Sequence, residues 1–556
     1  MQKEKSCLIV LAASRKIQDY ITVFNTVPSL IPFNGKPLIY HIILNFTERF
    51  DGPIFVALPK NEERIEKFLT ATFSKRAWIN YVYIEDPKPK GQAKTLHDVL
   101  DIMKSMEGLP NNIVIANGDI FFELPDILFE NEATAFVENY FSNDKYSTFT
   151  FDNGKIEFVD VGKQSHKKNK VIDSGVYTVQ NWKEIKIDES DYLSTVGKLL
   201  VKLFSGELSL GKLKNWVDLG HIDSSSQIST KILGAREFNN IKVDEKRGIL
   251  TKSSSKQVKI LQEINYYLKL PRKLSIYFPR LYDYDLGKNI SYSIEYYPYK
   301  TLSEYFVMYE LPLEVWKTIF RKILAVYKDF MLIRESSPNE KQVHNIYINK
   351  LHDRLAAIED GCFLKQLINE DYVVINGDVF EGWQKYLDLI NESVKTVSKK
   401  PVNCVIHGDL CFSNILYDPP SGVIKFIDPR GEFYNEGVFG DYNYDWAKLL
   451  HSVDGGYDFI IHQMYCLDRF CSNDFSFNLI QTENTKQIKL IFLSVLKELF
   501  SIAEIKRLLV FEAMLFLSML PLHKDDENRQ VAFYLTALKI LKKAKSYEGG
   551  HDEDLY

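Results

Sequence analysis

The sequence predicts an α/β protein in two parts: a mostly parallel sheet flanked by helices, followed by a small β-rich lobe and a helical lobe. Three observations lead to this prediction. Apolar runs alternate with amphipathic segments over the first 120 residues, two short strands flank a turn-rich segment at 244–248, and long helical stretches dominate after about 305. At 556 residues the chain is also longer than a typical domain of roughly 100–200 residues, so more than one domain is expected.

The first part alternates strands and helices. Short runs of Ile, Val and Leu are typical of strands buried on both faces, and they predict strands at Cys7–Ala12, Ile54–Leu58, Ile79–Ile84 and Ile113–Ala116. Apolar residues spaced three and four apart predict helices over 37–46 and 92–104, and a charged segment indicates another helix near 61–70. This alternation indicates right-handed βαβ units, in which ligands bind beyond the carboxyl ends of parallel strands. Asp119 follows such an end.

We place the domain boundary where this alternation stops. The first domain then covers residues 1–235, and the second covers residues 236–556. Within the second domain, the short strands predict a small lobe over 236–300. The helical stretches predict a larger lobe over 301–556, broken by a short strand-loop-strand at 402–428.

Composition and charge exclude several classes of protein. The formal net charge is −5, so no global basic surface is available for nucleic acid or membranes. The longest apolar stretch, Leu508–Leu522, contains Glu512 and is shorter than the roughly 18–20 residues that span a bilayer. Six cysteines without Cys-x-x-Cys spacing indicate reduced thiols. We therefore expect a cytoplasmic protein with no nucleic-acid partner and no membrane insertion.

The most specific motif lies in the second domain. Val405–Leu416 reads VIHGDLCFSNIL, and Ile424–Gly431 reads IKFIDPRG. Phosphoryl transfer requires a carboxylate that accepts the proton of the acceptor hydroxyl, and Asp409 fits this role. It also requires oxygen ligands for Mg²⁺ across the ATP phosphates, and Asn414 and Asp428 fit because a hairpin between them brings both into one cleft. Turn capping would explain a lone His-Gly-Asp, but it does not explain the full string at this spacing.

This motif resembles the HGDxxxxN…ID signature of aminoglycoside phosphotransferases and choline kinases. The resemblance implies a bilobal, kinase-like α+β domain that phosphorylates a small alcohol, amino alcohol or sugar with ATP and Mg²⁺. It also implies a phosphate-binding lysine with a glutamate partner. Lys252 and Glu263 have the order and spacing of this pair. A surface lysine and an unrelated glutamate on a helix face would produce the same sequence pattern. Glu295 and Tyr297 are similar in position to the segment that meets adenine. The HRD, DFG and APE motifs of protein kinases are absent.

Two aspartates follow this motif. Asp441 and Asp445 stand where relatives place an aspartate that supports the catalytic loop. Capping of a helix N-terminus is an equally good local explanation for either one. The sequence leaves both interpretations open.

A second set of motifs lies in the first domain. It comprises Leu11–Arg15 (LAASR), Asn34–Pro37 (NGKP), Gly91–Leu96 (GQAKTL), Asn117–Asp119 (NGD), Asp173–Tyr177 (DSGVY) and Trp216–Gly220 (WVDLG). Together these resemble sugar-phosphate and phosphocholine nucleotidyltransferases, which attach a nucleoside monophosphate to a phosphorylated acceptor and release pyrophosphate. The resemblance implies a Rossmann-like domain that binds a second nucleoside triphosphate, with CTP favoured.

The resemblance also implies site residues. Asp119 and Asp218 would each give a ligand to Mg²⁺, which neutralises charge at the α-phosphate. The nucleotide would lie against Ala12, Ala13, Ser14, Lys36, Gly91 and Gln92. The family's glycine loop is missing here, because Ser14 and Arg15 follow the alanines directly, and Ser29 replaces the lysine after the first proline. We expect Arg15 to take over the catalytic charge, with Lys16 or Lys163 as alternatives.

Both resemblances together cover nearly the whole chain. They are similar to bifunctional proteins that make precursors of bacterial capsules and surface polysaccharides. The sequence therefore predicts a two-step enzyme that phosphorylates a small alcohol, amino alcohol or sugar and then activates the product with a nucleotide. The alternative is a kinase whose first domain is a degenerate module that only binds a nucleotide or a sugar phosphate.

Overall fold

The computed structural model describes residues 3–13, 25–33, 36–60, 62–74, 77–85, 91–139, 146–152, 155–162, 169–218 and 239–547. The chain divides into two compact units, Met1–Ile232 and Leu233–Tyr556. Several residues singled out in the sequence lie outside the described ranges: Ser14, Arg15, Lys16, Asn34, Gly35, Lys163 and Gly220.

Four parallel strands form the centre of the first unit. Across the sheet their order is Ile79–Ile84, Ile54–Pro59, Cys7–Leu11 and Ile113–Asn117. This confirms the predicted parallel sheet and the strands that build it. Lys170–Val179 then runs antiparallel beside Ile113–Asn117. The same sheet is completed by Ala133–Asn139, Thr148–Asp152, Lys155–Val159 and Leu208–Lys212.

Helices connect the parallel strands, as the periodicity predicts. They are Leu38–Arg49, Glu63–Phe73 and Gln92–Lys104. A further helix, Val196–Leu203, precedes the strand Leu208–Lys212. The helix Leu38–Arg49 buries the apolar face expected from its sequence, namely Leu38, Ile39, Ile42, Ile43 and Phe46. Short strands accompany them at Asn25–Thr26, Pro32–Phe33, Lys36–Pro37, Ile120–Glu123 and Asn215–Asp218.

The second unit begins with a small antiparallel sheet. Its strands, in spatial order, are Asn239–Asp244, Ile249–Ser254, Ser291–Glu295 and Leu281–Asp285. The helix Gln257–Lys269 packs on this sheet, because Ile260 and Ile264 form one apolar cluster with Tyr292 and Ile294.

Helices make up most of the rest of the second unit. The longer ones are Leu313–Met331, Leu387–Lys399, Tyr442–Val453, Glu483–Leu499, Ile502–Met519 and Glu527–Ser546. The shorter ones are Leu302–Val307, Glu340–His344, Lys350–Ala356, Phe363–Ile368 and Tyr457–Ile461. The predicted hairpin is present as Ile415–Asp418 paired with Val423–Phe426. No helix in the described ranges is long and apolar enough to cross a membrane.

The sequence interpretation missed a second small sheet within this helical region. Its strands are Asp378–Glu381, Tyr372–Ile375, Asp474–Leu479 and Tyr465–Arg469 in spatial order. The first hairpin of this sheet has a local signal in the sequence, the dipeptide Asn376-Gly377. Both residues adopt positive φ, 56° and 86°, as a two-residue hairpin turn requires. The pairing of Tyr372–Ile375 with Asp474–Leu479 joins segments far apart in sequence, which no local pattern predicts.

Candidate active sites of the two units

The loop that carries Asp409 runs from the short strand Cys404–Val405 to the hairpin strand Ile415–Asp418. Asn414 lies directly against Asp409, because its Nδ2 donates to the Asp409 backbone oxygen at 2.8 Å and to Asp409 Oδ2 at 3.3 Å. The Ile427 N–H donates to the backbone oxygen of Asn414 at 3.0 Å, so the segment that carries Asp428 is held beside Asn414. The structure therefore brings the three predicted residues into one neighbourhood.

Asp445 holds this loop from behind. Its fully buried carboxylate accepts hydrogen bonds from the backbone N–H groups of His407 at 2.6 Å and Gly408 at 2.8 Å, and from the Tyr327 hydroxyl at 2.9 Å. Asp441 instead caps the helix Tyr442–Val453 by accepting from the Asn443 N–H at 2.9 Å. The two aspartates that the sequence could not separate thus have different structural roles.

His407 joins the two halves of the motif as a neutral ring. Its Nε2 lies 2.9 Å from the Ile427 backbone oxygen, and its ring stacks on Phe278 with centroids 6.1 Å apart. Burial lowers the pKa of His407 to about 4, despite the nearby carboxylate of Asp409. The uncharged ring can donate to Ile427 and so fixes the position of the residue before Asp428.

Lys252 forms a buried ion-pair bridge. Its Nζ lies 2.9 Å from Glu263 Oε2 and 2.7 Å from Asp428 Oδ1, while the Tyr292 hydroxyl donates to Glu263 Oε2 at 2.7 Å. Burial alone would lower the pKa of Lys252, but Asp428 and Glu263 raise it above its ordinary value. The predicted Lys252–Glu263 pair is therefore present as a charged contact, and it reaches the hairpin motif.

The segment of Glu295 and Tyr297 follows the strand Ser291–Glu295. The Tyr296 N–H donates to the Gly248 backbone oxygen at 2.9 Å, which holds the segment against the turn of the first hairpin. The Tyr297 ring lies under Lys425 Nζ, 5.0 Å from its centroid. The strand Ser291–Glu295 pairs directly with Ile249–Ser254, the strand that carries Lys252.

Basic side chains lie near Asp409, and the sequence interpretation missed them. Lys448 Nζ lies 2.9 Å from Asp409 Oδ1. The hydroxyl of the buried Tyr444 accepts hydrogen bonds from Arg430 Nη1 at 3.2 Å and from Lys350 Nζ at 3.4 Å. Burial would raise the pKa of Tyr444, but Lys350, Arg430 and Lys448 outweigh it and lower that pKa to about 8. The only local signal was Lys448, four residues after Tyr444 on the same helix.

In the first unit, strand pairing brings Asp119 and Asp218 together. Asn215–Asp218 pairs antiparallel with Ile120–Glu123, and Asp218 lies opposite Ile120. Asp119 directly precedes Ile120, so Asp119 and Asp218 lie close to each other across this strand pair. Asp218 is buried and Asp119 is half-buried. In the described ranges no group of three or more His, Cys, Asp or Glu residues could hold a metal ion.

Gly118 allows the turn at Asp119 to pack against the first strand. A Cβ at this position would lie 2.9 Å from the Cα of Ala12 and 2.5 Å from the Ser29 hydroxyl oxygen. Ser29 itself is buried, with 1% of its surface exposed. The turn at Asp119 therefore packs against Ala12, and Ser29 is part of the core.

Gln92 connects the start of the helix Gln92–Lys104 to the same region. Its Nε2 donates to Asn117 Oδ1 at 3.2 Å, and its Oε1 accepts from the Val196 N–H at 3.3 Å. Gly91 precedes it with φ of 91°, where a Cβ would lie 2.4 Å from the Tyr192 backbone oxygen. Both residues therefore lie at the carboxyl end of the strand Ile113–Asn117.

The DSGVY and WVD motifs meet in the same unit. Trp216 Nε1 donates to the Ser174 backbone oxygen at 2.9 Å. The Tyr177 hydroxyl contacts both carboxylate oxygens of Asp173, and burial raises the pKa of Asp173 to about 6. Lys36 lies apart from these contacts, with its Nζ 4.0 Å from the centroid of the Tyr40 ring.

Comparison with known proteins supports the identity of the first unit. Residues 23–234 match the family model described as Nucleotidyl transferase. The curated protein "Bifunctional protein GlmU" of Methanococcus maripaludis (strain C7) is 23% identical over 222 residues, which cover 38% of this chain and 51% of that protein. The protein of the same name from strain C5 is 26% identical over 242 residues, which cover 40% of this chain and 55% of that protein. The chain thus spans about half the length of the curated relatives that it matches.

Solved structures also resemble part of this chain. The crystal structure of HddC from Yersinia pseudotuberculosis complexed with GMP-PN is 14% identical and covers 40% of this chain and 97% of its own, with a TM-score of 0.32. The inositol-1-phosphate CTP transferase from T. maritima is 13% identical and covers 43% of this chain and 98% of its own, with a TM-score of 0.34.

Replacing Asp445 by Ala should destabilise the second unit. Two buried backbone N–H groups would lose their acceptor, at a cost of about 1–3 kcal/mol each. Tyr327→Phe removes only the third hydrogen bond and should cost about 0.5–1.5 kcal/mol. Urea denaturation of both variants measures the difference, and equal losses of stability would contradict the role assigned to Asp445.

The neutral state of His407 predicts a pH dependence of stability. A histidine in the unfolded chain titrates near pH ~6.5, whereas His407 in the folded chain has a pKa of about 4. As the pH falls below the unfolded value, only the unfolded chain gains the proton, so stability declines through this window. The melting temperature of the wild type should therefore fall faster than that of His407→Gln between about pH 7.5 and pH 5. Parallel curves would contradict a neutral His407.

Proposed function

We propose that this chain, in which residues 23–234 form a nucleotidyltransferase domain, is a two-step transferase. The second unit phosphorylates a small alcohol, amino alcohol or sugar with ATP. The first unit then transfers a nucleoside monophosphate from a second nucleoside triphosphate, with CTP favoured, to the phosphorylated product. Together these two reactions would produce precursors of surface and capsular polysaccharides.

One observation carries the kinase part of this proposal. Asp409 and Asn414 touch each other on a loop fixed by Asp445, and Lys252 links Glu263 to Asp428 within the same unit. A phosphoryl-transfer site needs a carboxylate for the acceptor hydroxyl, oxygen ligands for a metal and a cation for the ATP phosphates. Asp409, Asn414 with Asp428, and Lys252 supply these three groups.

In the proposed reaction the second unit transfers the γ-phosphoryl group of ATP to the acceptor. The acceptor hydroxyl gives its proton to the Asp409 carboxylate, and its oxygen forms a bond to the γ-phosphorus of ATP. The bond from that phosphorus to the β,γ-bridging oxygen breaks, and ADP leaves with the electron pair. Lys252 would bind the phosphates, and Glu263 would keep Lys252 in place and charged.

The side chains fit a magnesium ion. Asn414 uses its Nδ2 to hold Asp409, so its Oδ1 is the atom left for a ligand, and Asp428 offers a carboxylate that is 37% exposed. Amide and carboxylate oxygens are ligands that Mg²⁺ accepts, together with phosphate oxygens and water. When bound, Mg²⁺ would neutralise charge on the phosphates. Asp428 then has to share its carboxylate between the ion and Lys252.

For the first unit, the proposal rests on the approach of Asp119 to Asp218 through strand pairing. A phosphate oxygen of the acceptor would attack the α-phosphorus of the triphosphate, and the bond to the β-phosphate would break to release pyrophosphate. The two aspartates would hold Mg²⁺, which lowers the charge repulsion in this step. Ala12, Gly91 and Gln92 lie near them and would bound the nucleotide.

A specific observation favours the alternative that the first unit only binds a ligand. Ser29, which replaces a lysine of the family, is buried against Gly118 and leaves no cation at this position. Arg15 is the residue proposed to supply the missing charge. Release of pyrophosphate from CTP, UTP, GTP or TTP with a phosphorylated acceptor supports catalysis, whereas nucleotide binding without turnover supports the binding module.

Asp409→Ala should abolish ATP-dependent phosphorylation and leave nucleotidyl transfer to a supplied phosphorylated acceptor intact. Loss of a general base alone lowers turnover by about 10²–10⁴-fold. The matched control is Glu392→Ala, an exposed carboxylate on the helix Leu387–Lys399 of the same unit. Phosphorus NMR of both steps in one sample provides the measurement. Survival of both steps in the Asp409 variant would show that the assignment of the two units is wrong.

Asp119→Asn and Asp218→Asn should impair nucleotidyl transfer and leave ATP-dependent phosphorylation intact. Each removes one charge from the proposed metal site, so pyrophosphate release should fall by about tenfold or more while ATP-dependent phosphorylation is unchanged. Asp188→Asn, an exposed residue of the same unit, serves as the control. Pyrophosphate release that is equally fast in all three variants would exclude a metal role for Asp119 and Asp218.

A further inference from the structure

A group of cations lies near Asp409, and one of them, Lys448, contacts it. Lys350, Arg430 and Lys448 surround the buried ring of Tyr444, and we call these four residues the basic cluster. Its members come from three segments: the helix Lys350–Ala356, the loop after the hairpin and the helix Tyr442–Val453. Lys448 connects the cluster to Asp409 by its 2.9 Å ion pair.

The basic cluster carries more positive charge than its surroundings neutralise. Asp409 is paired with Lys448, but within the described ranges no carboxylate lies within ion-pair distance of Lys350 or Arg430. Both side chains are half-buried and donate to the Tyr444 hydroxyl instead. Holding partly desolvated cations together without an anion is unfavourable, so an anionic ligand would relieve it.

The backbone around the cluster indicates that this arrangement is built into the fold. A π-helical turn, Asn345–Asn349, precedes Lys350, and such turns are frequent at functional sites. The Tyr347 hydroxyl ties this turn to Asp441 at 2.7 Å. Arg430 packs on the loop of the candidate base, where a Cβ on Gly408 would lie 2.7 Å from the Cβ of Arg430.

Resting on the proposed kinase function of this unit, we propose that the acceptor is an anionic alcohol. Its hydroxyl would lie at Asp409, and a carboxylate or phosphate group a few bonds away would bind Lys350, Arg430 and Lys448. Arginine and lysine form charge-assisted hydrogen bonds with both kinds of anion. Sugar acids and sugar phosphates are the acceptors with this chemistry.

The same geometry disfavours choline and other quaternary ammonium alcohols. Recognition of such cations uses open aromatic faces. The Tyr444 ring is already next to two cations, with Lys350 Nζ at 5.3 Å and Arg430 Cζ at 5.8 Å from its centroid. A cationic ligand placed here would be repelled by the three cations of the basic cluster.

The test offers matched acceptors to the full-length protein with ATP and Mg²⁺. Each of several sugars is supplied as the neutral sugar, the uronate and the 6-phosphate, alongside choline and ethanolamine. We expect one anionic form to exceed its neutral counterpart in kcat/KM by about tenfold or more, as for a contact between charged groups. Whether the uronate or the phosphate is preferred distinguishes the two kinds of anion.

Variants assign this preference to the basic cluster. Lys350→Gln and Arg430→Gln should each raise the KM for the anionic acceptor by about tenfold and change kcat and the KM for ATP by less than about threefold. The control Lys395→Gln alters an exposed lysine on the helix Leu387–Lys399 and should change nothing. Melting temperatures identify variants that fail to fold.

Two outcomes overturn the inference in different ways. Preferred phosphorylation of choline or of neutral sugars, or equal effects of the variants on neutral and anionic acceptors, leaves the kinase in place and removes the anionic acceptor. Absence of phosphoryl transfer to every acceptor overturns the proposed kinase function, and the inference with it.

Discussion

The carboxylate of Asp445 is the constraint on which the candidate site of the second unit depends. It accepts hydrogen bonds from the backbone N–H groups of His407 and Gly408, the two residues directly before Asp409. Gly408 takes a φ of 81°, a conformation that is open to glycine at little cost. The direction in which Asp409 leaves the backbone is therefore set by a buried acceptor on a neighbouring helix. From this position Asp409 contacts both Asn414 and Lys448.

Buried charge then connects this loop to the small sheet. Lys252 lies on a strand of the sheet, Glu263 on its helix and Asp428 after the hairpin, and one ammonium group contacts both carboxylates. A buried ion pair contributes little net stability compared with apolar packing, because desolvation offsets most of the attraction. We interpret its presence as a functional feature, since an ammonium group kept charged in a buried position is suited to binding phosphates.

The first unit reaches a similar result by different means. Here two glycines, rather than a buried acceptor, let neighbouring segments pack closely. Gly118 lets the turn of Asp119 pack on Ala12. Gly175 leaves room for the Asn117 amide, since a Cβ on residue 175 would lie 2.4 Å from Asn117 Nδ2. Strand pairing then adds Asp218 opposite Ile120. Backbone packing at the carboxyl end of the parallel sheet thus brings together candidate site residues from segments that are far apart in the chain.

Periodicity and turn chemistry act over a few residues, and they predicted the parallel sheet of the first unit, the helix face of Leu38–Phe46 and the hairpin after Asp409. The sequence offered the Lys252–Glu263 pair only through its resemblance to phosphotransferases. It did not separate Asp441 from Asp445, since both can cap a helix and only packing shows which one faces the loop. The sheet that pairs Tyr372–Ile375 with Asp474–Leu479 and the basic cluster around Tyr444 were also decided by the tertiary structure. Contacts between segments that are distant in the sequence depend on how strands and helices pack in three dimensions, and local sequence patterns do not predict this packing.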